Sequence, residues 1–325
     1  MKSVTILVTT KNDERTIKKC VDSLLKQSYK NRKIYVTVAT SSTDKTYDIL
    51  KQYGKKIILE RITGNRPASY NQMLKKVNTD YVAFTDGDAV CDKNWLDELI
   101  SSFKPGVVAV GGMIKNPKSE NKLQDLIGRE LEYRFAHLPK EVSRLPTMNL
   151  CVITKYAKME KFDESLRVAQ ETDWGYRLNK YGKTLFNPKA VVWHYHRATW
   201  KGYFKQQYLY GRYAPAVYSK KENRAKMLGD EVTTTTMVVE LLLMLSAIAF
   251  MILSTIMWLL NLNAFTFVYK WSSTIFILLS FLSFELRTIK YKLITKPTDV
   301  FYYMIIFLIR SVAWSFGVIV WVFRR

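Results

Sequence analysis

Tyr81-Val82-Ala83-Phe84-Thr85-Asp86-Gly87-Asp88 is the stretch that decides the fold. Its four leading apolar residues read as a buried strand, and two carboxylates follow in a turn, two residues apart. A hard divalent cation takes carboxylate oxygens, keeps several waters and completes its shell with phosphate oxygens. In an open α/β sheet the ligand crevice lies beyond the carboxyl ends of the strands, where an Asp-x-Asp placed after a strand falls. Asp-Gly is equally common in solvated acidic turns, so the reading needs its surroundings.

Outward from this stretch, strand and helix signals alternate. Strands are expected over residues 4–9, 33–39, 56–60 and 107–110, besides the one ending at Thr85, and helices over 14–26, 44–52, 67–76 and 94–103, with Pro67 in the first turn of its helix. The pattern predicts an α/β domain with a parallel, doubly wound sheet. Residues 116–145 are irregular and polar, which predicts a mobile loop over the crevice. Residues 3–10 are strand-like and lead straight into charged sequence, so no signal peptide is expected and the first domain is placed in the cytosol. Cys20, Cys91 and Cys151 are far apart and lack metal-ligand spacing, which fits a reducing compartment.

The last third is apolar over residues 237–260, 264–284 and 300–323, with Glu240, Lys270 and Arg310 inside the runs. Each reaches the roughly 20 residues that cross a bilayer, and predicts a small all-α transmembrane domain over 233–325; the alternative is three core helices of a soluble protein. Asn261-Leu262-Asn263 makes the first two a tight hairpin. Three crossings leave the termini on opposite sides. Arg287, Lys290, Lys292 and Lys296 place the loop before the last run in the cytoplasm, whereas Arg324 and Arg325 then fall outside, against the same positive-inside rule. Of the net charge of +22, residues 233–325 carry 8 basic and 3 acidic side chains, leaving 42 and 25 before them. A basic domain beside a membrane suits anionic lipid and phosphate-bearing substrates. No nucleic-acid signature accompanies the charge, so no nucleic-acid partner is expected.

Lys11-Asn12-Asp13-Glu14, Cys20-Val21-Asp22-Ser23-Leu24-Leu25-Lys26-Gln27-Ser28-Tyr29 and Ser42-Thr43-Asp44 follow one another in an order that resembles the opening of the family 2 glycosyltransferases, whose catalytic domain has the Rossmann-like GT-A fold. Asn65-Arg66-Pro67-Ala68, Asp86-Gly87-Asp88, Phe162-Asp163-Glu164, Gln170-Glu171-Thr172-Asp173-Trp174 and Trp193-His194-Tyr195-His196 continue the resemblance over residues 2 to about 215. It implies a nucleotide-sugar-binding domain over residues 1–198. The implied reaction moves a sugar, with inversion, from a nucleotide diphosphate donor, UDP- or GDP-linked, with Mn2+ or Mg2+ held by Asp86, Asp88 and His194. Direct displacement needs one general base. Aligned on the family's Glu-Asp pair, Gln170 and Glu171 occupy the pair, so Glu171 is the expected base and Asp173 its near competitor. The neutral Gln170 departs from the pattern. Asn12, Glu14, Asp44 and Arg66 are the expected donor contacts, Arg66 through the diphosphate.

Residues 199–232 form an aromatic and cationic segment of interfacial composition. Trp200, Lys201, Lys205, Gln207 and Arg212 are its expected acceptor or membrane contacts; Gln207 and Arg212 distantly resemble the Gln-x-x-Arg-Trp of processive synthases. The expected whole is a multi-pass cell-membrane enzyme with its catalytic domain in the cytoplasm, glycosylating a polyprenyl-phosphate or other lipid-linked acceptor. A processive polysaccharide synthase and a non-catalytic scaffold are the alternatives.

Overall fold

The computed structural model describes residues 1–119 and 121–324. Arg325, one of the two terminal cations weighed above, lies outside the described residues. The order is β1 (Val4–Thr10), α1 (Ile17–Leu25), β2 (Arg32–Ala39), α2 (Thr46–Lys51), β3 (Ile58–Ile62), α3 (Arg66–Lys76), β4 (Tyr81–Asp86), β5 (Ala89–Cys91), α4 (Trp95–Ser101), β6 (Val107–Lys115) and α5 (Lys122–Ala136). It continues with β7 (Glu141–Val142), β8 (Leu150–Ile153), α6 (Thr154–Met159), α7 (Gln170–Leu178), β9 (Lys183–His194), α8 (Trp200–Tyr218), α9 (Thr235–Leu259), α10 (Asn263–Lys290) and α11 (Thr298–Phe323).

One sheet, ordered β3-β2-β1-β4-β8-β6-β9-β5 with β7 beside β9, forms the N-terminal domain. β1 is buried along all seven residues, as a central parallel strand covered on both faces must be. One apolar cluster packs α1 and α4 on one face, and a second packs α3 and α7 on the other. The sheet is mixed rather than all-parallel. β1 to β4 run parallel to one another where they pair, but β8 enters antiparallel between β4 and β6, and β5 pairs antiparallel with β9. The physical reason is that the chain leaves β4 for β5, on the far edge, so the place beside β4 is filled later by a strand arriving from the opposite direction.

The loop expected over residues 116–145 contains a four-turn helix, α5. Asn121 caps it by accepting from the Gln124 amide at 3.0 Å. Leu123, Leu126 and Ile127 are buried against Phe284, Tyr303, Ile306 and Phe307 of α10 and α11. Their apolar partner is far off in sequence, so the local pattern gave no sign of it.

α9 and α10 form an antiparallel hairpin turned at Asn261, whose φ is +58°. α9, α10 and α11 are each long and apolar enough to cross a membrane, with mean hydropathy of 2.4, 1.4 and 2.1 over their best windows. α11 packs along α8. A Cβ on Gly211 would stand 2.3 Å from the Trp314 carbonyl oxygen, and one on Gly317 2.4 Å from the Arg212 amide nitrogen, so only glycine permits this backbone-to-backbone approach. A strap at residues 229–233 ties the hairpin to the domain: Arg144 Nε donates to Asp230 Oδ2 at 2.6 Å and Arg134 Nη1 to the Val232 carbonyl at 2.6 Å.

Candidate active site

β4 delivers Asp86 at its carboxyl end, and the Gly87-Asp88 turn leads into β5, where Ala89 pairs with His194 of β9. The Tyr195 amide donates to the Asp88 carbonyl at 3.0 Å. Strand pairing thus brings a histidine from far along the chain to the acidic turn, and one ligand atom from each of Asp86, Asp88 and His194 lies within 4.8 Å of the others. His194 Nε2 stands 3.2 Å from Asp88 Oδ1. Asp86 Oδ2 accepts from Arg66 Nη1 at 3.1 Å. Asp86 Oδ1 and His194 Nδ1 are buried without a hydrogen-bond partner among the described residues, and Asp88 Oδ1 has only the His194 Nε2 contact. Unmatched buried groups of this kind cost roughly 1–3 kcal/mol each, more when charged, and two carboxylates with an imidazole are a donor set that a divalent cation relieves.

Burial pushes the Asp88 carboxyl up, but the charges of His194, Arg66 and Arg197 outweigh it and hold the group well below the usual carboxylate range. His194 is pushed down by burial and, more strongly, up by the two aspartates. His196 is driven down to about 3 by burial and by His194, so that ring is neutral.

Asp13, left out of the expected site, sits under the turn. Its Oδ2 accepts from Thr10 Oγ1 at 2.5 Å and the Lys11 amide at 3.1 Å. Burial and the Asp88 charge raise it to about 6. A Cβ on Gly87 would come within 2.8 Å of both Asp13 Oδ2 and Thr10 Oγ1, which is why the middle of the Asp-x-Asp is glycine. The signal was present, an acid in the loop directly after β1.

Asn12, Glu14 and Asp44 brace two loops at the mouths of β1 and β2. Asn12 has a φ of +56°, and its Oδ1 accepts from the Thr43 amide at 2.8 Å. Asp44 Oδ2 accepts from the Glu14 amide at 2.9 Å, and Glu14 Oε2 from the Lys45 amide at 3.1 Å. These carboxylates therefore shape the wall through backbone amides. Arg66, at the start of α3, spends part of its guanidinium on Asp86.

Glu171 and Asp173, both in the first turn of α7, part company. Asp173 is fully buried, with Oδ1 accepting from Lys220 Nζ at 2.8 Å and Asn223 Nδ2 at 3.1 Å, and Oδ2 paired with Arg177 Nη2 at 3.0 Å. Oδ1 thus ties α7 to the segment after α8 and Oδ2 closes an ion pair within α7, so both oxygens of this expected competitor base are engaged. Glu171 pairs with no side chain among the described residues. Burial raises its pKa, and Arg144 and Arg66 only partly offset this. The Tyr210 hydroxyl of α8 is near enough to feel the charges of Glu171, Arg66 and Asp86.

Along α8, Trp200, Lys201 and Lys205 are exposed. Gln207, expected among the acceptor or membrane contacts, is buried and accepts from Trp314 Nε1 at 2.9 Å, a helix-packing contact. Arg212 lines a cavity of about 190 Å³ with Ser165, Leu166 and the end of α11.

A half-sheet of parallel strands, an acidic turn at their carboxyl ends and a histidine returned to it by an antiparallel edge define a GT-A-like glycosyltransferase domain. Through residues 5–164 the chain belongs to glycosyl transferase family 2, whose family model matches that span. The Methanococcus voltae dolichyl N-acetyl-alpha-D-glucosaminyl phosphate 3-beta-D-2,3-diacetamido-2,3-dideoxy-beta-D-glucuronosyltransferase is 25% identical over 238 residues, covering 65% of this chain and 72% of that one. The beta-monoglucosyldiacylglycerol synthase of Nostoc sp. is 34% identical over 126 residues, 35% of this chain and 27% of its own length. Among solved structures, the mannosyltransferase PcManGT from Pyrobaculum calidifontis, in complex with GDP-Man and Mn2+, matches over 96% of this chain and 87% of that one. Its TM-score is 0.56 at 13% identity, a likeness of fold.

Proposed function

We propose that this chain is a membrane-anchored, metal-dependent, inverting glycosyltransferase that moves a sugar from a UDP- or GDP-linked donor to a lipid-linked acceptor on the cytoplasmic face of the cell membrane. The observation that carries the reading is the orphaned donor set of Asp86, Asp88 and His194 beside an uncommitted carboxylate, Glu171. When bound, Mn2+ or Mg2+ supplies positive charge for the diphosphate leaving group. Asp86, Asp88 and His194 would hold it, and Arg66 keeps Asp86 oriented. Asn12, Glu14 and Asp44 rigidify the wall against which the nucleotide rests. Glu171 takes the proton from the acceptor hydroxyl, and burial, by raising its pKa, makes it a stronger base. Three apolar helices fit anchoring, and the Methanococcus and Nostoc relatives are both named for activities on lipid-borne acceptors. The test is transfer from UDP- and GDP-sugars to extracted membrane lipids with Mn2+, with and without chelator. Full activity in chelator sinks the metal role, and failure to bind any sugar nucleotide sinks the enzyme.

A further inference from the structure

α11 does not stand away from the catalytic domain as a crossing helix must. At its start Asp299 pairs with Lys122 and, at 3.2 Å, with Arg129 Nη1, both on or beside α5. One turn on, the Tyr303 hydroxyl donates to the Leu126 carbonyl at 3.1 Å. At its middle Arg310 Nη1 donates to Glu130 Oε1 at 2.8 Å and Nε to the Tyr203 hydroxyl at 3.2 Å. Trp314 and Gly317 then follow α8 turn by turn, through the Gln207 hydrogen bond and the glycine contact. At its end Val320, Trp321 and Arg324 line the small cavity with Ser165 and Leu166, which belong to the catalytic domain.

A helix of this length covers about 39 Å, and both of its ends touch one cytosolic domain. Were α11 across the hydrocarbon, α8 would have to run beside it and carry Lys201, Lys205 and Arg212 into lipid, which membranes tolerate only at high cost. The hairpin behaves differently. Arg287 Nη2 meets Glu240 Oε2 at 2.9 Å, and Phe284 packs on Phe307, marking the end of the hairpin next to the domain. From Glu240 to the turn at Asn261 the chain rises about 30 Å, the thickness of a hydrocarbon core. Over that reach it exposes Ile256, Trp258, Phe267, Trp271 and Ile275.

We propose that only α9 and α10 cross the bilayer, and that α11 lies with α8 in the plane of the interface on the catalytic side, presenting Phe301, Phe316 and Phe204 to lipid. The C-terminus is then on the same side as the active site. Arg324 joins Arg287, Lys290, Lys292 and Lys296 on one face, and the conflict with the positive-inside rule disappears. The inference rests on the membrane anchoring proposed above and not on the chemistry proposed there.

Single-cysteine reporters in the full chain test it, because the three native cysteines are all buried. In sealed vesicles with the catalytic domain outward, a membrane-impermeant maleimide should label Arg324→Cys as completely as the exposed catalytic-domain reporter Lys55→Cys. Asn261→Cys should be labelled only after detergent, and the unsubstituted chain not at all. Protection of Arg324→Cys alongside Asn261→Cys overturns the proposal, and so does labelling of Asn261→Cys in intact vesicles. Release of the chain by alkaline carbonate would overturn the anchoring itself, an outcome separable from a wrong topology.

Discussion

Exchange of Asp88 for asparagine keeps the side chain's shape and removes one charge from a donor set whose other members are Asp86 and His194. Turnover should fall by on the order of a hundredfold or more, because metal stabilisation is worth several kcal/mol. A Mn2+ titration should show weakened saturation, and unchanged kinetics in that variant would remove Asp88 from the site. Glu171→Gln should cut kcat by roughly 10²–10⁴ and leave donor affinity alone, as loss of a general base does. Because a base must be deprotonated and burial raises Glu171, the acidic limb of the rate profile should lie above the usual carboxylate range, with rate lost as pH falls through it. The limb should vanish in Glu171→Gln. An acceptor that is already an ionised phosphate needs no base, so the size of the loss also reports the nucleophile. Asp173→Asn should instead lower stability by about 3 kcal/mol, seen as a reduced Tm. Asp86, Asp88 and His194 were legible in the sequence because each sits in a short local pattern. Asp173 was not, since its partners Lys220 and Asn223 come from another element.

Between elements, α8 and α11 approach backbone to backbone at Gly211 and Gly317. Leucine at Gly317 would collide with the backbone of Tyr208 and Arg212 rather than with any movable side chain, so the helices must separate. The expected cost is about 3 kcal/mol, with transfer to a lipid acceptor falling more than donor binding. Equal losses of both would place the damage in the crevice instead. The alternation of strands and helices up to β6, the short β5 apart, could be read from sequence because each segment's own apolar pattern carries it, even where its pairing partner is distant, as β1 is from β4. β8 and α5 could not. A four-residue apolar run does not announce its direction, and α5 shows a continuous apolar face only when α10 and α11 lie on it.

Taken whole, the molecule is a basic domain which, on the function proposed above, rests on a bilayer through an aromatic and cationic helix. Replacing Lys201 and Lys205, both exposed, by glutamine should raise KM for a lipid-linked acceptor in anionic vesicles and leave kcat unchanged, each cation contributing about 1 kcal/mol near such a surface. The difference should vanish in neutral vesicles, and a fall in kcat in both would show that the lysines act in the crevice. The burial of α5 against the end of the chain has a bearing on how the protein is made. Lys122 waits for Asp299, 177 residues later. At ribosomal speeds of about 5–20 residues per second that is on the order of 10 to 30 s, during which Leu123, Leu126 and Ile127 wait for α10 and α11, in the later part of it with the sheet behind them complete, since β9 ends at His194. The nascent domain therefore keeps an uncovered apolar face until α10 and α11 have docked, and on the anchoring proposed above membrane targeting during synthesis becomes part of its folding.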